Sequence, residues 1–360
     1  MVERRASSVT QPRTRRQITS PGVTVRVMMS RADGDARKTR FMTFQEDQPG
    51  RVLAGKYELI EKLGQGGMAI VWRARTRGAA GFFRTVAVKR VESSVRGFEE
   101  VIEMFVEEAR VGAALQHPNI VQVHDFGIDE QGVHYLVTEL IEGIHLGRFL
   151  SSFRDEKLET PWEVVTAISI EVLRALEGAH GRLDEQGRLS PILHRDVTPG
   201  NILLADAGRV MLADFGLARA MDRGRMTRPN IVKGKLSYLA PELLMGLAPT
   251  VKCDLFSLGV VLWEALAGER LFDAGTDADV VANIRDGKIP LLSMKRPNLP
   301  MSVTSAVHRA LERDPAYRFD SARQMMDVLT SVLRVLPHSV DSRVLSVSFS
   351  AAKERLKATP

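Results

Sequence analysis

The feature of this sequence that most constrains its fold is a change in hydrophobic periodicity near Glu142-Gly143. Before it, apolar residues alternate in short runs typical of strands, and one stretch at 98–115 has helical spacing. After it, helical spacing dominates. The predicted strands are 57–63, 70–75, 85–90, 120–126 and 134–140, and the later helices are 162–180, 253–268, 277–285, 302–313 and 321–336. The sequence therefore predicts an α+β fold of two lobes: a small antiparallel-sheet N-lobe with one helix, and a larger helical C-lobe.

Charge and composition divide the chain into three parts. Residues 1–50 carry ten Arg or Lys against five Asp or Glu, so five of the six net positive charges lie there. With few large apolar side chains, this segment is predicted to be a disordered basic arm. The folded domain is predicted at 51–336, with an N-lobe at 51–141 and a C-lobe at 142–336. Residues 337–360 form a C-terminal tail. Because the folded part is nearly neutral, no nucleic-acid partner is expected.

The location of the protein is predicted from what the sequence lacks. No apolar run reaches the roughly 20 residues that span a bilayer, and the longest, at 258–268, is interrupted by Glu264. The N-terminus is rich in Arg and Ser, as transit peptides are, but Pro12 and Pro21 interrupt any long helix there. The single cysteine, Cys253, excludes an intrachain disulfide and favours a reducing compartment. We expect a cytoplasmic protein, and the oligomeric state stays open.

A glycine-rich turn, Gly64-Gln65-Gly66-Gly67-Met68, separates the first two predicted strands. Glycines let backbone N–H groups approach phosphate oxygens, although such a turn alone is more often only a turn. Lys89 follows at the end of an apolar strand, on the same face as Ala87. A buried ammonium needs a counter-charge. Glu107 and Glu108 on the predicted helix are the candidates, and Glu108 is favoured by its position ten residues before Pro118.

Two later loops carry the strongest chemical signal. His194-Arg195-Asp196 is followed by Asn201, five residues after the aspartate, and Asp214-Phe215-Gly216 begins eighteen residues after Asp196. A carboxylate can orient an attacking hydroxyl, and carboxylate and carboxamide oxygens can hold Mg²⁺ on phosphates. A lone His-Arg-Asp is a common accident. Together with the Asn spacing, the Asp-Phe-Gly and Lys89, the pattern is too specific to have arisen by chance.

Over about 57–336 the chain resembles the eukaryotic-like (Hanks-type) serine/threonine protein kinases, in their bacterial branch. The resemblance implies a two-lobed kinase fold, ATP and Mg²⁺ as cofactors, and protein substrates with Ser or Thr hydroxyls. The γ-phosphoryl group of ATP would be transferred, with autophosphorylation expected. Ala240-Pro241-Glu242 would close the activation segment, and Arg318 would pair with Glu242.

The resemblance also implies a role for each site residue. Asp196 would be the base or hydroxyl-orienting group, Lys89 paired with Glu108 would hold the α- and β-phosphates, and Asn201 and Asp214 would bind the metal. The backbone of Glu139-Leu140-Ile141 would receive adenine, with Thr138 as gatekeeper. The expected nucleotide-binding set is Leu63, Gly64, Gln65, Gly66, Gly67, Met68, Ala69, Ile70, Val71, Ala87, Lys89, Thr138, Glu139, Ile141, Asn201 and Asp214.

Three departures from the family pattern stand out. Ala69 replaces the third glycine, and the segment 182–191 lengthens the approach to the catalytic loop as a surface hairpin. Thr198 stands where these kinases usually carry Lys, while Lys235 stands where they usually carry Thr. We interpret this as an exchange in which Lys235 brings its ammonium to the side of Asp196. The alternative is a solvated Lys235 and a catalytic loop weakened by Thr198.

The departures leave two further alternatives open. A nucleotide-binding pseudokinase acting as a scaffold or switch is supported by Thr198 alone. Thr227 is the only Ser or Thr between Asp214 and Lys235, so it is the candidate for an activating phosphate received by Arg195. An unmodified surface threonine is the alternative.

The exchange hypothesis predicts rescue by a second substitution. A cation about 4 Å from a carboxylate contributes up to about 4 kcal/mol at an effective dielectric near 20, so Lys235→Met should lower kcat by about tenfold or more. The double variant Thr198→Lys with Lys235→Thr should retain much of the activity that Lys235→Met loses. Steady-state kinetics on the three proteins checks this, and a double variant as slow as Lys235→Met contradicts it.

Overall fold

The computed structural model describes residues 19–20, 23–26, 42–45, 47–66, 69–78, 81–91, 98–215 and 236–358. Within this part of the chain the strands are β1 Thr19–Ser20, β2 Val23–Arg26, β3 Met42–Gln45, β4 Val52–Leu53, β5 Tyr57–Gln65, β6 Ala69–Arg77, β7 Phe83–Val91, β8 Val123–Ile128, β9 His134–Glu139, β10 Gly143–His145, β11 Ile202–Ala205 and β12 Val210–Leu212. The helices are α1 Phe98–Ala113, α2 Leu146–Arg154, α3 Trp162–His180, α4 Pro241–Leu244, α5 Val251–Ala267, α6 Asp277–Asp286, α7 Leu292–Lys295, α8 Met301–Ala310, α9 Ala322–Arg334 and α10 Ser342–Ala358.

The N-lobe is an antiparallel sheet in the order β4-β5-β6-β7-β9-β8. Alternation along β6 and β7 sends Trp72, Val86 and Val88 into one buried cluster, whereas the intervening side chains face the other side of the sheet. Helix α1 packs on the sheet through Val101 and Phe105. This arrangement leaves one face of β6 and β7 available to form a site.

The C-lobe is built around α5. All but a few of its residues are buried, including both an apolar run and the ionisable Asp254. Thr250 caps its N-terminus by accepting from the backbone N–H of Lys252, and Gly268 ends it with φ of +75°. A small sheet, β10-β11-β12, lies in the same lobe and carries the loops that connect to α2 and to the predicted catalytic segment.

The predicted elements of both lobes are present, with bounds that agree within three residues. Among the strands, the largest shift is at the predicted strand 120–126, which begins at Val123. Ile120 instead forms a parallel bridge with Leu212, and Val121 donates its N–H to the Leu212 carbonyl at 3.0 Å. The segment 182–191 forms a hairpin closed by a bridge between Leu183 and Leu189, as predicted. Sequence periodicity did not predict the short elements α2, α4, α7 and β10 to β12.

Within the first fifty residues, predicted to be a disordered basic arm, the structure describes 19–20, 23–26, 42–45 and 47–50. Strands β1, β2 and β3 form a small antiparallel sheet, in which Thr24 pairs with Phe44 and Val25 with Thr43. The physical reason is local alternation with β-branched residues, which favours pairing even in a basic segment.

The domain begins before residue 51. Asp47 accepts hydrogen bonds from Arg51 at 2.7 Å and from Arg90, and both arginines also bond Asp129, at 2.9 and 2.6 Å. Arg90 and Asp129 are fully enclosed by protein. Since two buried arginines share two carboxylates, residue 47 is part of the folded N-lobe.

The predicted C-terminal tail contains a long helix. In α10, the buried Leu345, Phe349 and Ala352 follow helical spacing and join the C-lobe core, and the helix packs against α2. The N-terminus of α10 approaches the turn between β11 and β12 so closely that a Cβ on Gly208 would lie 1.8 Å from the carbonyl oxygen of Ser342. Among the described residues, none of the helices is long and apolar enough to cross a bilayer.

A buried ion pair joins α4 to the segment before α9. Arg318 contacts both carboxylate oxygens of Glu242, at 2.7 and 2.8 Å, with side-chain exposures of 0% and 4%. Burial opposes the charge of Glu242, but the guanidinium outweighs it and holds the pKa of Glu242 below its ordinary value of 4.5. Stability from this pair is therefore present above pH 4.5 and is lost as pH falls through the lowered pKa.

Removing one partner should be costly. Arg318→Met leaves a buried carboxylate unpaired and should lower the free energy of unfolding by about 3–5 kcal/mol. Urea denaturation at pH 7 measures this. The control is Arg323→Met, which removes an exposed pair with Glu177 and should change stability little. The double variant Arg318→Met with Glu242→Leu should recover part of the loss, and a double variant as unstable as the single one contradicts the prediction.

Candidate functional site

The site lies on the open face of β6, β7 and β9. In the sheet register Lys89 stands opposite Val71, and Ala87 stands opposite Thr138. These four side chains are half-buried, while Val88 between Ala87 and Lys89 is in the core. Strand alternation therefore gathers the predicted adenine-contacting residues with Lys89 on one face of a cleft.

The glycine-rich turn is closed by a hydrogen bond from the Gly66 N–H to the Ala69 carbonyl at 2.9 Å. A Cβ added at Gly64 would meet no atom within 4 Å, so packing inside the protein does not require glycine there. Space at this position fits a phosphate-covering turn whose backbone approaches a ligand. Leu63, at the start of the turn, is 44% exposed. The predicted contacts Gly67 and Met68 lie outside the described residues.

Lys89 is held between two carboxylates. Its Nζ lies 2.7 Å from Glu108 Oε1 and 3.1 Å from Asp214 Oδ1. The predicted pairing with Glu108 is present, whereas Glu107 pairs with Arg110 at 3.1 Å. Helix α1 supplies Glu108, so the cluster joins α1, β7 and the Asp-Phe-Gly segment.

Burial and charge set the protonation of this cluster. Burial opposes the charge of Lys89, but the carboxylates of Asp214 and Glu108 outweigh it and keep the pKa of Lys89 above its ordinary value. Burial raises the pKa of Glu108 to about 7, against the opposing effect of the Lys89 ammonium. The cluster therefore carries a permanent cation and one carboxyl group that titrates near neutrality.

The predicted catalytic loop, residues 194–201, is anchored by Asp254 from α5. Its carboxylate accepts the backbone N–H groups of His194 at 2.9 Å and of Arg195 at 2.7 Å, and it contacts His180 Nε2 at 2.8 Å. Burial opposes its charge, but the bonds from His180 and the loop backbone hold the pKa of Asp254 below its ordinary value. A buried charge thus fixes the backbone just before Asp196.

His194 ties the two predicted loops together. Its Nδ1 accepts the Asp196 N–H at 3.2 Å, so Nε2 is the donor to the Ala213 carbonyl at 2.9 Å. Its ring stands edge-on to Phe215, with centroids 4.4 Å apart. Burial lowers the pKa of His194, which keeps the ring neutral at pH 7.

Backbone strain marks the same loops. Arg195 and Asp214 both have φ of +62°, a region that residues other than glycine rarely adopt. Such conformations persist where the surrounding structure determines them, and they concentrate at functional sites. Here the hydrogen bond from the Arg195 N–H to Asp254 and the bond from His194 to the Ala213 carbonyl hold the backbone in this conformation.

Asn201 orients Asp196. The Asn201 Nδ2 donates to the Asp196 carbonyl at 2.8 Å and to its Oδ2 at 2.9 Å. Because both bonds use the amide nitrogen, the amide oxygen of Asn201 is turned away from Asp196 and can face a cation. Asp196 itself is nearly buried. The five-residue spacing seen in the sequence is therefore a direct contact.

The oxygens of Asn201 and Asp214 fit a magnesium ion bound together with a nucleotide. Mg²⁺ commonly takes one or two protein oxygens and completes its shell with phosphate and water. Within the described chain, no three His, Cys, Asp or Glu side chains cluster as a metal site. A cation held by Asn201 and Asp214 would complete its shell with nucleotide phosphate and water.

The segment predicted to receive adenine comprises the end of β9 and the two residues after it. Thr138 Oγ1 donates to the Glu139 carbonyl at 3.2 Å, and the Glu139 carboxylate accepts the Gln122 N–H at 2.9 Å. Ile141 is half-buried beside them. These bonds fix the backbone that was predicted to receive adenine.

The exchange hypothesis reaches beyond the described part of the chain. Thr198 is 8% exposed, and its carbonyl accepts the Asn201 N–H at 3.1 Å. Lys235 and Thr227 lie outside the described residues. The structure thus places Thr198 in the catalytic loop, and the exchange with Lys235 stays a prediction.

Sequence reasoning missed two contacts at this site. It predicted a helix at 253–268 without a role for Asp254 near its start. It also did not predict the salt bridge between Arg73 and Glu142, where Arg73 Nη2 lies 2.9 Å from Glu142 Oε2. For Asp254 a signal existed, because a carboxylate within an apolar run needs buried partners. For Arg73 and Glu142, 69 residues apart, no sequence pattern indicates the contact.

Comparison with known proteins is consistent with this geometry. Residues 57–335 match the family model described as "Protein kinase domain". The chain is 36% identical over 279 residues to "Tyrosine-protein kinase MasK" of Myxococcus xanthus, covering 78% of this chain and 43% of that protein. It is 35% identical over 289 residues to "Serine/threonine-protein kinase PknA" of Mycobacterium tuberculosis, covering 79% of this chain and 62% of that protein. The matched region thus spans less than two thirds of these relatives.

Among solved structures, the chain resembles the kinase domain of Mycobacterium tuberculosis PknI. The TM-score is 0.59 at 29% identity, covering 80% of this chain and 99% of that domain.

The raised pKa of Glu108 predicts pH-dependent nucleotide affinity. Below pH 7 Glu108 becomes neutral and no longer holds Lys89 by charge, so the Kd of a fluorescent ADP analogue should be about fivefold larger at pH 6 than at pH 8. Since nucleotide phosphate titrates in the same range, the control is Glu108→Gln, which keeps that titration and removes the protein group. Equal pH slopes for the two proteins contradict the prediction.

Proposed function

Because the chain belongs to the protein kinase family, we propose that it transfers the γ-phosphoryl group of ATP to Ser or Thr hydroxyls of protein substrates. The observation that carries the proposal is the assembly of one cleft from distant segments. It brings the Lys89–Glu108 pair and Asp214 together, beside a catalytic loop in which Asn201 orients Asp196.

Each side chain has a role that follows from its position. Lys89, held by Glu108 and Asp214, presents a cation to the α- and β-phosphates. Asp196, fixed by Asn201, accepts the proton of the substrate hydroxyl. The hydroxyl oxygen forms the new bond to the γ-phosphorus, the bond to the bridging oxygen breaks, and ADP leaves with that electron pair.

Magnesium would be held by Asn201 and Asp214 and would neutralise charge on the phosphates. The support for these two ligands is the orientation of the Asn201 amide, whose nitrogen is committed to Asp196. Lys89 approaches one oxygen of Asp214 and so aligns that carboxylate. The protein thus prepares two oxygen ligands and leaves the remainder to the nucleotide.

Selectivity for Ser and Thr is supported by Pro199 in the catalytic loop and by the bacterial-type glycine-rich turn. PknA and "Serine/threonine-protein kinase PrkC" of Bacillus subtilis carry that specificity in their names, whereas MasK is named a tyrosine kinase. Thr198 in place of the usual lysine is the feature that favours testing tyrosine as well. A cytoplasmic setting is supported by the single cysteine, which is buried.

Autophosphorylation tests activity and residue preference together. Asp196→Asn removes the hydroxyl-orienting carboxylate, so incorporation of phosphate from labelled Mg-ATP should fall by about 10²- to 10⁴-fold. A matched control is Asp286→Asn, an exposed residue of α6. Phosphosite mapping should find Ser and Thr, and it tests Thr227 directly. Incorporation that is absent from the unmodified protein, or that survives in Asp196→Asn, contradicts the proposal and favours a pseudokinase. Phosphate confined to Tyr contradicts the Ser/Thr preference.

A further inference from the structure

Helix α10 begins after the part of the chain that matches the kinase family, which ends at residue 335. It nevertheless has a buried face. Phe349 is fully enclosed and meets Phe149 of α2 edge-on, with ring centroids 5.8 Å apart. The Arg355 guanidinium lies 4.2 Å from the ring centroid of Phe153, on the same helix. Helix α10 is thus docked on α2, the first helix after the predicted hinge, which is the adenine-receiving segment 139–141.

Polar contacts fix α10 to the turn after β11. Lys353 Nζ lies 2.8 Å from each carboxylate oxygen of Asp206, and Ser346 Oγ donates to the Asp206 carbonyl at 2.6 Å. Asp206 in turn donates its backbone N–H to the Glu142 carbonyl at 2.8 Å. Two side chains of α10 therefore hold the residue that supports the backbone of Glu142.

Glu142 connects the contacts between α10 and Asp206 to the N-lobe. It directly follows Ile141 of the hinge, and its carboxylate receives both Nη atoms of Arg73 from β6. Arg73 Nε also lies 2.7 Å from Glu61 of β5. Charges of alternating sign therefore run from the N-lobe sheet, through Glu142, to Lys353 and Asp206. The Arg73 and Lys353 charges both favour the ionised form of Glu142, whose pKa lies below its ordinary value.

We propose that α10 is a positioning element of the nucleotide site: Lys353 fixes Asp206 against Glu142, and Glu142, through Arg73, holds the glycine-rich strand pair of the N-lobe toward the hinge. The inference rests on the proposed function, because the cleft between these elements is the one assigned to ATP. It adds a role for a segment outside the family domain and makes Lys353 a positioning residue.

The expected effect is on nucleotide retention. Arg73 sits on the strand that follows the glycine-rich turn, so its bond to Glu142 joins that strand to the residue after Ile141. Lobe separation releases nucleotide in enzymes that close around their ligands. Contacts that favour the closed arrangement therefore slow ADP release. The side chains involved are between 27% and 57% exposed, so the effect is a change of a few fold and depends on salt.

The test measures binding of a fluorescent ADP analogue to the 360-residue chain. Lys353→Met should raise both Kd and the dissociation rate about three- to fivefold, with the association rate and the melting temperature unchanged. The matched control is Lys357→Met on the same helix, whose ammonium pairs with Glu354 at 2.8 Å; it should bind ADP like the unmodified protein. Raising the salt concentration from 50 to 500 mM should increase the Kd of the unmodified protein toward the value for Lys353→Met.

A second substitution tests whether Lys353 acts on the nucleotide site through Glu142. In the Glu142→Gln background, Lys353→Met should have no further effect on Kd, since the link to Arg73 is already broken. Equal Kd values for Lys353→Met and the unmodified protein overturn the inference, as does an undiminished effect of Lys353→Met in Glu142→Gln. A fall in melting temperature without a change in Kd also overturns it, because it shows a purely structural contact. Binding needs no phosphoryl transfer, so an inactive protein with the predicted Kd pattern contradicts the proposed function alone.

Discussion

The carboxylate of Asp254 is the interaction on which the site depends most. It is fully buried in the central helix α5, and it holds the backbone of His194 and Arg195 while contacting His180 of α3. A buried charge is tolerated only when its hydrogen bonds are satisfied, so the loop conformation and the charge stabilise each other. The strained φ of Arg195 follows from this anchoring. The packing of the C-lobe core and the position of Asp196 are therefore determined together.

Much of the site could be predicted because its signals are local. The spacing of Asp196 and Asn201 corresponds to a direct hydrogen bond, and strand alternation placed Lys89 with Ala87 on the cleft face. Choosing Glu108 over Glu107 also followed from sequence position. The contacts of Asp254 with His180 and of Arg73 with Glu142 depend on how distant elements pack, and no periodicity encodes such packing.

The two ends of the chain show why composition is a weaker guide than pattern. The C-terminal segment is polar overall, yet Leu345, Phe349 and Ala352 are enough to form a narrow buried stripe. At the other end, one acidic residue within a basic segment, Asp47, completes a buried network with Arg51 and Arg90. Average charge predicted a disordered arm up to residue 50, whereas a single carboxylate at Asp47 extends the N-lobe.

The close approach at Gly208 offers a way to recognise this architecture in other chains. A turn with φ of +79° would by itself accept Asn or Asp as well as glycine. Here the carbonyl oxygen of Ser342 occupies the place of any Cβ, so only glycine is compatible with the docked helix. A related chain with a side chain at this turn must carry its C-terminal extension elsewhere. The residue at the position of Gly208 therefore distinguishes relatives in which a helix docks after the kinase domain in this arrangement from those in which it does not.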